Sequence, residues 1–206
     1  MTSLCAIDLK NIFLLLLLLI STHSFSQDQE KSEISDVTKA TFFNPGIGYE
    51  KKIGKFQSLY AQAFMSTTIG LGYSSSFGFT SFIYFYPALA LQYRYYYNSA
   101  KRKAKGKRTE MNSLSYVSTF VETAFYKETV SFNGEKDLRT LNTFGLAWGF
   151  QRNYQKRFSL DLSFGLGYVF TKQTTINDAG QFITKNTGEI TNVGQIGLGF
   201  WLNRRK

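Results

Sequence analysis

Residues 158–171 read Phe-Ser-Leu-Asp-Leu-Ser-Phe-Gly-Leu-Gly-Tyr-Val-Phe-Thr, and their alternation decides the fold. Phe158, Leu160, Leu162, Phe164, Leu166, Tyr168 and Phe170 take every second position. Ser159, Asp161, Ser163, Gly165, Gly167 and Thr171 fall between them, with Val169 the exception. Successive side chains of a strand point to opposite faces, so one face is large and apolar and the other small or polar. A helix would mix the two sets around its circumference.

The same period of two recurs along the chain. In Phe82 to Tyr97, residues such as Phe85, Leu89, Leu91 and Tyr93 alternate with Ala88, Ala90, Gln92 and Arg94. In Arg139 to Gln151, Phe144, Leu146, Trp148 and Phe150 alternate with Gly145, Ala147, Gly149 and Gln151. In Ile190 to Leu202, Ile196, Leu198, Phe200 and Leu202 alternate with Gln195, Gly197 and Gly199. Segments 43–53, 56–69 and 111–125 are weaker versions. These strands outrun the usual ~5–6 residues and reach the ~9–11 of a tilted membrane-spanning strand.

A soluble sandwich would turn its second face to water and stud it with Lys, Glu and Thr. Here that face is Gly, Ala, Ser and Gln, which suits the crowded interior of a narrow barrel. Tyrosines gather at one strand end, in 93–97, as in an interfacial girdle. The composition agrees, with 17% aromatic residues, 17 Gly and only 2 Pro in 206. The expected fold is all-β: a closed antiparallel up-and-down transmembrane β-barrel of about eight strands. Seven strands are legible, and closed single-chain barrels have even counts. The eighth falls either in Ile34 to Ala40 or inside Lys172 to Gly188.

The N-terminal segment reads differently. Ile12 to Ile20 is an unbroken apolar run preceded by Lys10 and followed by small residues at Ser24 and Ser26. That is a signal-peptide pattern, too short for a spanning helix. The expected organisation is a signal peptide over 1–26, a polar lead-in over 27–40 and the barrel over 41–206. Cys5 and His23, the single cysteine and histidine, both fall in the leader. The mature chain then lacks a thiol nucleophile, a disulfide framework, a zinc-thiolate site and a histidine base.

Removing the leader takes Lys10 and Asp8 and leaves the net charge of +10 unchanged. Basic residues concentrate in Lys51 to Lys55, Lys101 to Arg108, Arg152 to Arg157 and the C-terminal Arg204 to Lys206. Outer-membrane barrels have short periplasmic turns and longer external loops, which places this basic set on the periplasmic side. Anionic headgroups would attract it. The run from Lys101 to Arg108 also fits nonspecific nucleic-acid attraction, but no surrounding motif specifies it, and no nucleic-acid partner is expected.

Glu50, Arg94, Glu122 and Asp161 fall on the expected lumen face. A proton pathway or carboxylate pair is one reading. Paired charges filling the interior is the plainer one, because buried charges require partners. The Gly-x-Gly pairs at 46–48, 70–72, 165–167 and 197–199 complete no nucleotide fingerprint. They mark places where lumen-side bulk is not tolerated. No cofactor or metal site is expected.

Near the C-terminus, Gln195, Gly197, Phe200 and Leu202 follow a pattern that resembles the terminal-strand signal read by the barrel-assembly machinery. Four further residues, Asn203 to Lys206, depart from it. With the stretch Asn44-Pro45-Gly46-Ile47-Gly48-Tyr49-Glu50 and the tyrosine strand that ends in a basic turn, the chain from about Thr41 to Leu202 resembles the small outer-membrane β-barrel families of Bacteroidota, uncharacterised barrel domains among them. The resemblance implies an integral cell outer-membrane location, with outer-membrane lipid and the assembly machinery as partners. It implies no activity. The expectation is a non-enzymatic barrel with a structural or surface-interaction role and an unspecified external or periplasmic protein partner. The alternative is a soluble periplasmic, lipocalin-like barrel holding an apolar ligand. A barrel enzyme ranks below both, because known barrel hydrolases and acyltransferases commonly use histidine.

Overall fold

A computed structural model describes residues 34–203 except 75–77, 130, 132 and 155. The leader and residues 27–33 lie outside the described residues, as do Arg204 to Lys206. The described chain forms a closed ring of eight antiparallel strands, each paired with its neighbour in sequence. These are β1 (Val37–Phe43), β2 (Gly46–Lys52), β3 (Gln57–Ser74), β4 (Gly78–Tyr96), β5 (Ser115–Thr129), β6 (Lys136–Asn153), β7 (Phe158–Ile176) and β8 (Phe182–Trp201). β1 closes the ring on β8 through Lys39↔Trp201, Ala40↔Phe200 and Thr41↔Gly199, with a bulge between Thr41 and Phe43.

The eighth strand is therefore N-terminal. The segment expected over 43–53 is β2 together with the last residue of β1, and the chain folds between them at Asn44-Pro45. Asn44 takes φ +53°, a conformation Asn tolerates in turns. The lead-in expected to end at residue 40 is corrected accordingly, since β1 begins at Val37. The stretch 172–188, the other place offered for the eighth strand, adds pairing but no separate strand. It extends β7 and β8 into a hairpin that turns over residues 177–181. Its Thr- and Asn-rich strands show no apolar alternation because both faces there are largely exposed.

Closing a sheet requires its strands to tilt and stagger. Partners followed once round the ring run Trp201, Lys39, Gly48, Gln62, Ala90, Glu122, Thr143, Val169 and Glu189. The path returns to β8 displaced by the 12 residues between Trp201 and Glu189. β1 and β2 have 7 residues each while the others have 15 to 20, so the wall is lowest at their hairpin. Two rims result. The connections 53–56, 97–114 and 154–157 and the described chain ends share the basic rim, and the other turns share the far rim.

The period-two pattern resolves into inside and outside. Leu146, Phe164 and Ile190 point outward, 66%, 64% and 77% exposed. Inward-facing Glu50, Arg94 and Gln151 are buried. Exposed Tyr95, Tyr97, Trp148 and Tyr154 lie toward the basic rim. Phe144, Tyr168 and Phe170 pack ring to ring nearer the far rim, at centroid distances of 5.6 to 6.4 Å.

Candidate functional site

The basic-rim half of the lumen is filled by an ionic plug. The register brings Lys39 of β1, Glu50 of β2, Arg94 of β4 and Asp161 of β7 into one interior layer, each on an inward position. Arg94 Nη1 donates to Asp161 Oδ2 at 2.8 Å and to Gln151 Oε1 at 2.9 Å. Lys39 Nζ donates to Asp161 Oδ2 at 3.1 Å and to Gln151, and lies 3.8 Å from Glu50 Oε2. Two cations balance two carboxylates.

Hydroxyls complete the layer. Tyr116 donates to Asp161 at 2.7 Å, and Ser58 and Tyr96 both donate to Glu50. The Arg94 guanidinium lies between two rings, 4.1 Å from the Tyr60 centroid and 4.4 Å from that of Tyr116. Glycine makes room for those rings. A Cβ on Gly149 would stand 2.6 Å from the Tyr116 ring, and one on Gly48 would stand 2.7 Å from the Tyr60 ring. Alternating large and absent side chains on facing strands are how a small barrel fills its interior.

Both ends of the plug are closed. Toward the far rim, Gln195 donates to Gln62 at 3.0 Å and accepts from Gln92 at 3.2 Å, while Gln92 accepts from Arg94. Toward the basic rim, the β4–β5 connection carries a short helix, α1 (Ser99–Ala104), and folds across the mouth. Ile34, Tyr96, Leu114 and Tyr116 form a buried apolar cluster there. The Asn112 amide pairs with the Ser35 backbone by two hydrogen bonds of 2.8 Å. Met111 and Asn112 turn the chain with φ of +51° and +59°. Asp36 lies just outside β1. Partial burial pushes its carboxyl up, and hydrogen bonds from the Lys51 side chain, the Lys52 N–H and the Tyr49 hydroxyl outweigh that and hold it below the ordinary carboxylate value.

Of the four lumen charges expected from sequence, the structure gathers Glu50, Arg94 and Asp161 and leaves Glu122 apart. Glu122 faces the lumen beyond the glutamine layer, beside a void of about 40 Å³, and has no ion pair or hydrogen bond among the described residues. A larger chamber of about 380 Å³ lies nearer the far rim, between Tyr126, Glu128, Thr171 and Glu189. Glu128 there pairs with Arg139 at 3.3 Å. Gln195 and Gly197 of the terminal strand face inward, Gly197 beside Asp161. Phe200 and Leu202 are exposed on the basic-rim side, and the Leu202 N–H donates to Thr38 O at 2.8 Å.

The plug's carboxylates face cations and hydroxyl donors, with Glu50 Oε2 held only by the 3.8 Å ion pair to Lys39, an arrangement that fixes charge in place. Among the described residues no group of His, Cys, Asp and Glu is placed to hold a metal ion. The chain matches no protein-family model, no curated protein and no solved structure among those compared. What defines it is its own architecture: an eight-stranded up-and-down β-barrel with a stoppered, polar interior.

Proposed function

We propose that the mature chain is an integral outer-membrane β-barrel without catalytic activity, stabilising the envelope or presenting its far-rim loops to a partner. One observation carries this reading: the polarity is inverted relative to a soluble protein. The ions are inside, where Arg94 and Lys39 are each 1% exposed, while Leu, Phe and Ile side chains stand exposed around the outside. Water rewards the opposite arrangement, and a bilayer rewards this one. The outward apolar stripe of β7 runs from Phe158 to Phe170. At about 3.3 Å per residue and a tilt of about 45°, it spans about 28 Å, close to the ~25 Å apolar band of such barrels.

A lipocalin-like barrel holding an apolar ligand needs an apolar lumen, and the ion pairs and amides here argue against that alternative. The exposed Phe200 and Leu202 of the terminal strand fit recognition by the barrel-assembly machinery. Membrane fractionation with gel mobility tests the reading. The barrel should remain in the membrane pellet after carbonate washing and migrate faster unboiled than boiled. Release into the wash would refute it.

A further inference from the structure

The outer wall carries a pronounced depression along β5. On β5 the outward residues are short, Val117 and Thr119, while the strands on either side carry Tyr93 and Tyr95 on β4 and Leu146 and Trp148 on β6. The result is an apolar trough of about 850 Å³ that continues over the small backbone of Gly145 and Gly165. At its basic-rim end the chemistry changes abruptly. Trp148 Nε1 donates to the Tyr97 hydroxyl at 2.6 Å, and both side chains are about half exposed. With its oxygen accepting that bond, the Tyr97 O–H is left to donate outward.

Beneath them Arg152 lies across the foot of β5. It donates to Leu114 O at 2.8 Å and reaches Ser115 Oγ at 3.4 Å. Arg102 of α1 donates to Arg108 O at 3.0 Å, and its backbone N–H donates to Asn98 O, while the Asn98 side chain accepts from the N–H of Ser115, the residue that Arg152 reaches. Neither has a carboxylate partner among the described residues. Two uncompensated guanidiniums, joined by exposed Lys101 on α1, thus stand directly under an apolar trough and an interfacial Trp–Tyr pair. That sequence of environments matches an amphiphile: acyl chain, glycerol level, phosphate. Guanidinium is the side chain best suited to grip a phosphate.

We propose that the outer face of β5 and the basic rim below it bind one phospholipid of net negative charge, its acyl chain in the trough over Val117 and Thr119 and its phosphate held by Arg102 and Arg152. This rests on the membrane reading above. It accounts for the run from Lys101 to Arg108 as a ledge at headgroup level.

The test is native mass spectrometry of the full mature barrel released from nanodiscs of equal phosphatidylglycerol and phosphatidylcholine. The wild type should retain one phosphatidylglycerol with a preference of about thirtyfold, the effect expected of two basic side chains near an anionic surface. R102Q/R152Q should bring that preference near parity. K51Q/K52Q, which removes the same charge elsewhere on the rim, should keep it. T119W, which fills the trough and leaves every cation in place, should lower retention of both lipids and guards against misfolding of the arginine variant.

Equal retention of the two lipids by the wild type would overturn the proposal while leaving the membrane assignment intact. So would an equal loss in K51Q/K52Q, which would mean diffuse charge and no site, or a lipid-free dimer, which would give the trough to a second copy. Failure to enter nanodiscs at all would bring down the membrane reading itself, and this inference with it.

Discussion

Replacing Arg94 with methionine tests whether the plug is a coupled unit. Methionine keeps much of the length and can still lie between the Tyr60 and Tyr116 rings, but it removes four hydrogen bonds, to Asp161, Gln151 and twice to Gln92. One cation, Lys39, then faces two buried carboxylates. Removing one partner from a buried pair costs about 3–5 kcal/mol, and loss of cation–π contact at 4.1 and 4.4 Å adds about 1 kcal/mol. A loss of about 4–6 kcal/mol is expected. At a urea slope of about 2 kcal/mol per molar, the unfolding midpoint in detergent micelles falls by about 2–3 M, read by the boiled-to-unboiled mobility shift. Asp161→Asn alone should cost about 3 kcal/mol for the same reason. The double variant restores balance between Lys39 and Glu50, so it should be less destabilised than the summed singles by about 2 kcal/mol. Additive losses, or an Arg94→Met cost below about 1 kcal/mol, would mean that the interior charges act independently and that the plug is packing alone.

Other perturbations reach different parts of the molecule. Gly149→Val places methyl groups against the Tyr116 ring and should cost about 1–3 kcal/mol by overpacking. Gly194→Ala, whose Cβ would meet nothing nearer than 3.5 Å, should lie within about 0.5 kcal/mol of wild type in the same unfolding assay. Asn112→Ala breaks both hydrogen bonds to Ser35 and should speed amide exchange across 109–114 while the global unfolding midpoint holds. An unchanged exchange rate would show that the apolar cluster alone closes the mouth. Because the Asp36 carboxyl is held low in the folded state, its contribution is present above the ordinary carboxylate value and is lost as pH falls through the lower folded value. Asp36→Asn should therefore differ slightly from wild type at neutral pH and converge with it in strong acid. A gap that widens below pH ~3.8 would reverse the assigned sign.

The inside–outside pattern of β4, β6, β7 and the lower part of β8 was legible because an apolar outer surface and a crowded polar lumen impose opposite demands on alternate residues. The pattern fades where the demands fade. Thr171 to Thr175 and Thr184 to Thr187 lie beyond the apolar belt, largely exposed, so the sequence there resembles a loop although it pairs as strand. β1 is offered by the sequence only as one of two places for the eighth strand, for a different reason. Val37-Thr38-Lys39-Ala40-Thr41 has a charged residue facing inward and no large outward group before Phe42, so its alternation carries no apolar signal.

That same strand explains why the plug was half visible. Glu50, Arg94 and Asp161 announce themselves as charges on lumen positions of recognisable strands, but their neutralisation depends on Lys39, which sits on the strand with no apolar alternation to fix its faces. No spacing in the sequence brings Lys39 and Asp161, 122 positions apart, to 3.1 Å. What does so is the stagger of the closed ring, fixed by β1 folding back at Asn44-Pro45 and docking on β8. An open sheet would leave Lys39 on one edge strand and Asp161 on the strand next to the other edge, and each would need a partner of its own. Closure and charge balance are thus one event. The β1–β8 seam pairs backbone groups that an open sheet would leave as unpaired edges, and it delivers the second cation to an interior that would otherwise hold an excess carboxylate.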